Sequence, residues 1–161
     1  IQLLAKQGDA SRKHVLTEYE GVKELKGDAG RGRNVFKKTC VACHRYGGEG
    51  NQIGANLASL QDRSTGAMLT AILDPNQAVE GKYKSYAAVL KDGRVLNGMI
   101  VEESATNLTL AASNGSLQTL LRSDLEELGS NGISFMPEGL EKDLTKQDVA
   151  DVIAFLQGDG K

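Results

Sequence analysis

Cys40-Val41-Ala42-Cys43-His44 decides the reading of this chain. Two thiols three residues apart, with a histidine directly after the second, make the C-x-x-C-H spacing of covalent haem attachment. The spacing has a chemical reason. Each thiol can add to one vinyl group of the same haem. The next residue then lies under the iron, where its imidazole nitrogen serves as the proximal ligand. The 161 residues include 2 cysteines and 2 histidines, so the motif uses both cysteines and one of the histidines. Other uses of a cysteine pair fit less well. A thioredoxin-like C-x-x-C belongs beside a βαβ pattern, and none is visible. A structural zinc site takes four ligands, usually from two pairs, and the one spare His or Cys is His14. A disulfide between Cys40 and Cys43 would close a tiny loop and stabilise little.

At this length one domain is the default, and two small ones are possible. The formal net charge of −2 gives no reason to expect nucleic-acid or membrane-surface binding by charge. No stretch approaches the ~20 apolar residues of a membrane span. The chain opens at Ile1 with neither initiator Met nor leader, which reads as a mature or excised piece. Haem is attached to C-x-x-C-H outside the cytoplasmic membrane, so the motif predicts a periplasmic or otherwise exported protein. Tryptophan is absent and aromatics are few. A bulky prosthetic group would supply the missing core volume of a small domain.

Helical spacing of Val15, Leu16, Tyr19 and Val22 predicts a helix near Ser11 to Leu25. Asp28 is a candidate cap for a second helix running to Cys40 with Val35 and Phe36 on one face. Gly30 and Gly32 inside it cost about 1 kcal/mol each, which suggests another backbone close by, the bland alternative being a frayed first turn. Ser64 can cap a short helix holding Met68, Leu69, Ile72 and Leu73, which Pro75 stops. The pattern then changes period. From Tyr83 to Leu128 it reads as a β-meander of four or five strands. Turns fall at Lys91-Asp92-Gly93-Arg94 and Asn114-Gly115. Thr145 and Asp148 open a last helix, with Val149, Val152, Ile153 and Leu156 at i, i+3, i+4 and i+7.

Together these residues resemble a class I cytochrome c. In that family a first helix leads into C-x-x-C-H and a last helix crosses it at a glycine/aromatic contact. Gly32, Phe36 and Phe155 are similar to that crossing. Phe135-Met136-Pro137 resembles the late methionine that supplies the second axial ligand. The resemblance covers residues 28–82 and 129–157. It implies a mainly α cytochrome c fold carrying an inserted small antiparallel β-meander or barrel. The expected organisation is an N-terminal helical linker at 1–27, a haem domain at 28–82 and 129–161, and a β-subdomain at 83–128. Family members often have Gly-Pro-x-Leu where this chain has Gly54-Ala55-Asn56-Leu57. The carbonyl that holds the proximal imidazole is still present, without proline's fixed φ. A closer similarity is to the cytochrome domain of large secreted proteins of planctomycete-type bacteria. It is carried by GDAGRGRNVFKKTCVACHRYGGEG, ILDPNQAV, DGRVLNGMIVEESATNLTL and SFMPEGLEKDLTKQDVADVIAFL. It implies that this chain is part of a longer polypeptide. The insertion also resembles an Sm-like small barrel through Asp92-Gly93-Arg94, Gly98 and Asn107-Leu108. It lacks the basic patch with interleaved aromatics that RNA binding needs, so a docking or structural role is expected.

The implied site is one covalent haem c, with His44 proximal and Met136 distal to the iron. The bland alternative for Met136 is a buried gap-filler. Met68 is a rival ligand or a pocket wall, and Met99 is expected in the β core. Tyr46, Ile53, Gly54, Leu57, Ile72 and Phe135 are candidate pocket residues. Arg63 is a candidate donor to a haem propionate, or a solvated surface arginine. The resemblance implies outer-sphere electron transfer with a redox partner or a fused dehydrogenase domain, and no catalysis by the chain itself. Two alternatives are a sensory or peroxidase-like domain with an open or labile sixth position, and a partner-docking module stapled by haem.

Overall fold

The computed structural model describes residues 11–77 and 79–160. Residues 1–10 of the expected linker lie outside the described residues, as do Ala78 and Lys161. The described chain forms two compact units: residues 79–136, and residues 11–77 together with 137–160. Among the described residues there are four α-helices and one five-stranded sheet. The helices belong to the second unit and the sheet to the first, so "mainly α" describes the helical unit rather than the whole chain.

The helical unit opens with α1 (Lys13–Glu18), which tightens into a 3-10 turn at Glu20–Glu24. The expected single helix over 11–25 is therefore two pieces. Val15, Tyr19 and Val22 are buried in the same core as Phe36, Leu69 and Ile153. Arg12 ties this segment down, donating from Nε to Leu73 O (2.7 Å) and from Nη2 to Glu141 Oε1 (2.5 Å). Residues 11–25 are thus part of the helical core and not a tether leading to it.

Side-chain oxygens set the starts of the other helices by accepting N–H groups that have no partner within the helix. Asp28 Oδ1 accepts from Arg31 N (2.7 Å) ahead of α2 (Ala29–Thr39). Ser64 Oγ accepts from Ala67 N (3.3 Å) ahead of α3 (Thr65–Leu73). Thr145 and Asp148 form a reciprocal capping box at α4 (Lys146–Leu156).

The crossing of α2 and α4 is the main joint of this unit. A Cβ on Gly32 would stand 1.9 Å from Asp151 O, so the two backbones meet there. A Cβ on Gly30 would meet only Asp28 Oδ1, at 3.2 Å, so the glycine cost buys close approach at one position and not at both. Phe155 packs on Phe36 with ring centroids 5.5 Å apart.

Asp151 is a carboxylate inside the apolar stripe of α4, 1% exposed. It is fully partnered there. It accepts from Asp28 N (2.8 Å), Gln147 Nε2 (2.8 Å) and the Arg31 guanidinium (2.7 and 3.1 Å). The Arg31 hydrogen bonds, helped by Gln147 and Asp28, outweigh desolvation and hold its carboxyl at about 2. A depressed folded-state pKa means the stabilisation is fully present above the ordinary value of 3.8. It is lost as pH falls toward about 2. Asp151→Asn is therefore expected to cost about 2 kcal/mol at neutral pH, Arg31's exposure keeping the figure modest. The gap to wild type should close between pH 4 and pH 2 in thermal melts. A gap that stays constant with pH would show that the charge contributes nothing.

The β unit holds β1 (Lys84–Leu90), β2 (Val95–Glu103), β3 (Asn107–Ala111), β4 (Leu117–Leu121) and β5 (Leu125–Ser134). All pairs are antiparallel, in the order β4-β3-β2-β1-β5. The turns fall where the sequence places them, with Gly93 and Gly115 at φ 90° and 83°, a region that favours glycine. Ala88, Leu90, Leu108, Leu110 and Leu120 make a core separate from that of the helices. Two features differ from expectation. The sheet is open, ending at β4 and β5, and is not a closed barrel. The last strand also runs beyond Leu128 to Ser134, through a register shift opposite Lys84/Tyr86.

Candidate haem-binding site

The site begins where α2 ends. Cys40 N donates to Phe36 O (2.8 Å) as the last helical bond. The chain then turns tightly, with His44 N on Cys40 O (2.9 Å) and Cys43 N on Cys40 O (3.2 Å). The turn is held from outside by the loop that follows. Asn51 N donates to Val41 O (2.9 Å), and Gly54 N and Ile53 N both donate to Cys43 O (2.7 and 3.0 Å). The C-x-x-C-H backbone is thus clasped between a helix end and a returning strand of loop.

Two glycines permit that return. At Gly50, φ is +92° and a Cβ would stand 2.0 Å from His44 O. At Gly54 a Cβ would stand 2.7 Å from His44 Cε1, so the imidazole lies directly on this backbone. His44 Nδ1 is 2.9 Å from Ala55 O. The Ala55 carbonyl takes this bond without a proline to fix its φ. With Nδ1–H donating, Nε2 carries the free lone pair.

Burial sets the charge state. It pushes the Cys40 thiol up to about 12, with Cys43 adding to the effect, and it raises Cys43 as well. His44 is pushed down by burial, against the smaller opposing effect of its bond to Ala55. The resting site therefore presents two neutral thiols and a neutral imidazole, the ligand form of histidine. Both cysteines are free and half-buried.

The other sequence candidates divide into four groups. Ile53, Leu57 and Ile72 are half-buried, and Leu57 and Ile72 pack against the helical core. Met68 is inside that core, on α3. Tyr46 and Arg63 are structural locks on the end of α4. The Tyr46 hydroxyl lies 2.5 Å from Gly158 O, and its ring packs on Phe155 with centroids 5.2 Å apart. Arg63 Nη1 donates to Leu156 O (2.8 Å) and Gly158 O (3.0 Å). Its Nη2 donates to Leu57 O (3.1 Å) and Ala58 O (2.8 Å). Four backbone carbonyls thus accept from this half-buried guanidinium, a set of partners the sequence did not indicate.

Phe135 and Met136 belong to the other unit, at the end of β5. Phe135 N donates to Tyr83 O (2.8 Å) and Met136 N to Ser134 Oγ (3.1 Å). Of the chain's 3 methionines, Met68 and Met99 are buried and Met136 is not. His14 is exposed on α1. Sequence reasoning missed Gly50. The run Gly47-Gly48-Glu49-Gly50 marks a loop, but which glycine lies under the histidine carbonyl depends on how the loop closes.

The donor set fits a haem joined through two thioethers. Two unpaired thiols precede a histidine whose Nδ1 is anchored and whose Nε2 is free, and Gly54 leaves the imidazole no side chain to displace. Comparison with known proteins agrees. The family description "Cytochrome c" matches residues 29–158. A cytochrome c of Stellaria longipes is 53% identical over 49 residues, covering 30% of this chain and 44% of the relative. One of Arabidopsis thaliana is 49% identical over 45 residues, covering 27% and 40%. This chain therefore spans less than half the length of these curated relatives. The family match extends over most of the chain, and the chain belongs to the cytochrome c family. Its cofactor is covalently attached haem c.

Proposed function

We propose that this chain is a single-haem electron carrier in which His44 and Met136 would hold the iron. The bound haem supplies a one-electron Fe(II)/Fe(III) couple. The chain's own residues do the rest. Cys40 and Cys43 fix the group covalently. Ala55 O holds the His44 ring so that Nε2 keeps one orientation. The Gly54 backbone supports the ring from beneath. Leu57, Met68 and Ile72 add apolar surface that keeps water away. Met136 would supply a thioether to the iron, in the Phe-Met-Pro stretch where the sequence resemblance puts it. Ligands that stay in place across a change in iron charge keep reorganisation small. No bond of a substrate is made or broken.

The observation that carries the reading is the anchored His44 with its free Nε2 beside two unpaired thiols, in a member of the cytochrome c family. The setting follows from the same reading. Thioether attachment outside the cytoplasmic membrane implies an exported, for instance periplasmic, location. The planctomycete-type resemblance supports a redox module of a larger secreted protein, which exchanges electrons with a fused dehydrogenase domain or a separate partner. Among the described residues no helix is long and apolar enough to cross a membrane.

The test is the absorption spectrum of the oxidised holoprotein beside Met136→Ala. The wild type is expected to show the weak far-red band of methionine–iron(III) charge transfer, and the variant to lack it and to bind small ligands such as imidazole. The reduction potential should fall in the variant, since methionine ligation raises it. Identical spectra would remove Met136 from the iron, and a ligand-binding role at an open sixth position would take the place of electron transfer.

A further inference from the structure

We infer that β4 is a self-pairing edge through which two copies of this chain associate. Its outer side pairs with no other described strand. It also carries the two most exposed large apolar side chains described, Leu117 at 59% and Leu121 at 52%. Edge strands are ordinarily guarded by charge, proline or a bulge. The opposite edge, β5, is guarded in this way: Glu126 and Glu127 are exposed on it, and its ladder with β1 is interrupted by register shifts. β4, Leu117-Gln118-Thr119-Leu120-Leu121, has no charge and no proline, and its ladder with β3 is unbroken.

The hydrogen-bond phase of β4 points to a second copy as the occupant. Ala112 N donates to Ser116 O and Arg122 N to Thr106 O (both 2.8 Å), so Ser116 and Arg122 face β3. Antiparallel alternation then turns Gln118 and Leu120 toward β3 as well. The N–H and C=O groups of Leu117, Thr119 and Leu121 face the open edge. The side chains of these same three residues share one face, opposite to Leu120, which lies in the core. The pattern is symmetric about Thr119. An antiparallel copy brings Leu117 opposite the partner's Leu121 and Thr119 opposite the partner's Thr119. Apolar meets apolar and no charge is paired. The same operation on β5 would crowd glutamates together, a destabilising arrangement.

Five residues of strand bury far less than the ~1,200 Å² of a standard interface, so the dimer is weak. Sedimentation velocity of the holoprotein from about 10 μM to about 1 mM is expected to show reversible monomer–dimer exchange. Leu121→Lys sets a charge opposite an apolar residue at both ends of the strand. Thr119→Pro removes an outward N–H and leaves the backbone bonds to β3, losing one side-chain bond to Thr109. Each is expected to weaken association by roughly tenfold or more, with unchanged far-UV circular dichroism. Amide exchange at Leu117, Thr119 and Leu121 should slow as concentration rises. A monomer throughout the range overturns the inference, as does association that neither variant weakens. Slow exchange of these amides in the monomer would mean that another segment of the same chain covers the edge, and overturns it too.

Discussion

Exchanging both Cys40 and Cys43 for alanine is expected to yield a polypeptide with the mass of the bare chain under denaturing conditions. Wild type made in the same cells, equipped for cytochrome maturation, should carry the added mass of one haem. The expectation follows from chemistry local to the motif. Cys40 and Cys43 are the chain's 2 cysteines, and both are free. They sit on one turn closed by the bonds of Cys43 N and His44 N to Cys40 O. Either single substitution leaves one thiol on that turn, so one thioether should still form and haem should survive denaturation in part. His44→Ala tests a different bond. It should leave both thioether positions intact and remove the imidazole that Ala55 O orients, so haem is retained with an altered spectrum. Mass spectrometry separates these outcomes from each other. Haem mass retained by the double variant under denaturing conditions would place the attachment elsewhere and undo the site.

This centre was legible because its chemistry is compressed into consecutive residues. The helix starts were legible for a related reason: Asp28, Ser64 and Thr145 satisfy N–H groups only a few positions away. What was not legible depends on partners far along the chain. Asp151 reads as a polar interruption of the apolar stripe of α4. Its meaning lies in Arg31 and Asp28, more than a hundred residues earlier. Arg63 reads as an isolated cation, and its bonds to the carbonyls at the end of α4 were not legible. The extent of β5 was hidden because Gly129-Ser130-Asn131-Gly132 has the composition of a loop. Its pairing with β1 makes it strand, with Gly132 at φ +74°. The 3-10 turn at Glu20–Glu24 was not legible either, because Tyr19 and Val22 stay in the core with the spacing of a regular helix.

The glycine pair in α2 gives the sharpest test of how the helical unit is held. Both residues are helical, so propensity alone predicts that alanine gains about 1 kcal/mol at either position. The surroundings reverse the sign at one of them. At Gly32 the new Cβ would lie 1.9 Å from Asp151 O, 2.4 Å from its carbonyl carbon and 2.9 Å from Phe155 Cβ. Two of those atoms are backbone, so no rotamer change relieves the clash and α4 must move away from α2. That displacement loosens the Phe36–Phe155 ring contact and pulls Asp151 off Arg31 and Asp28 N. Gly32→Ala is therefore expected to destabilise by about 3 kcal/mol or more, the upper end for overpacking. For a chain of this size that is a fall in Tm of about 6–12 °C. At Gly30 the nearest atom is Asp28 Oδ1 at 3.2 Å, the end of a side chain with room to adjust. Gly30→Ala should therefore lie between neutral and about 1 kcal/mol more stable. Thermal melts of the two variants beside wild type decide the matter. Equal effects would mean that the glycines act through helix propensity, and that the close approach of α2 to α4 is not what holds this unit together.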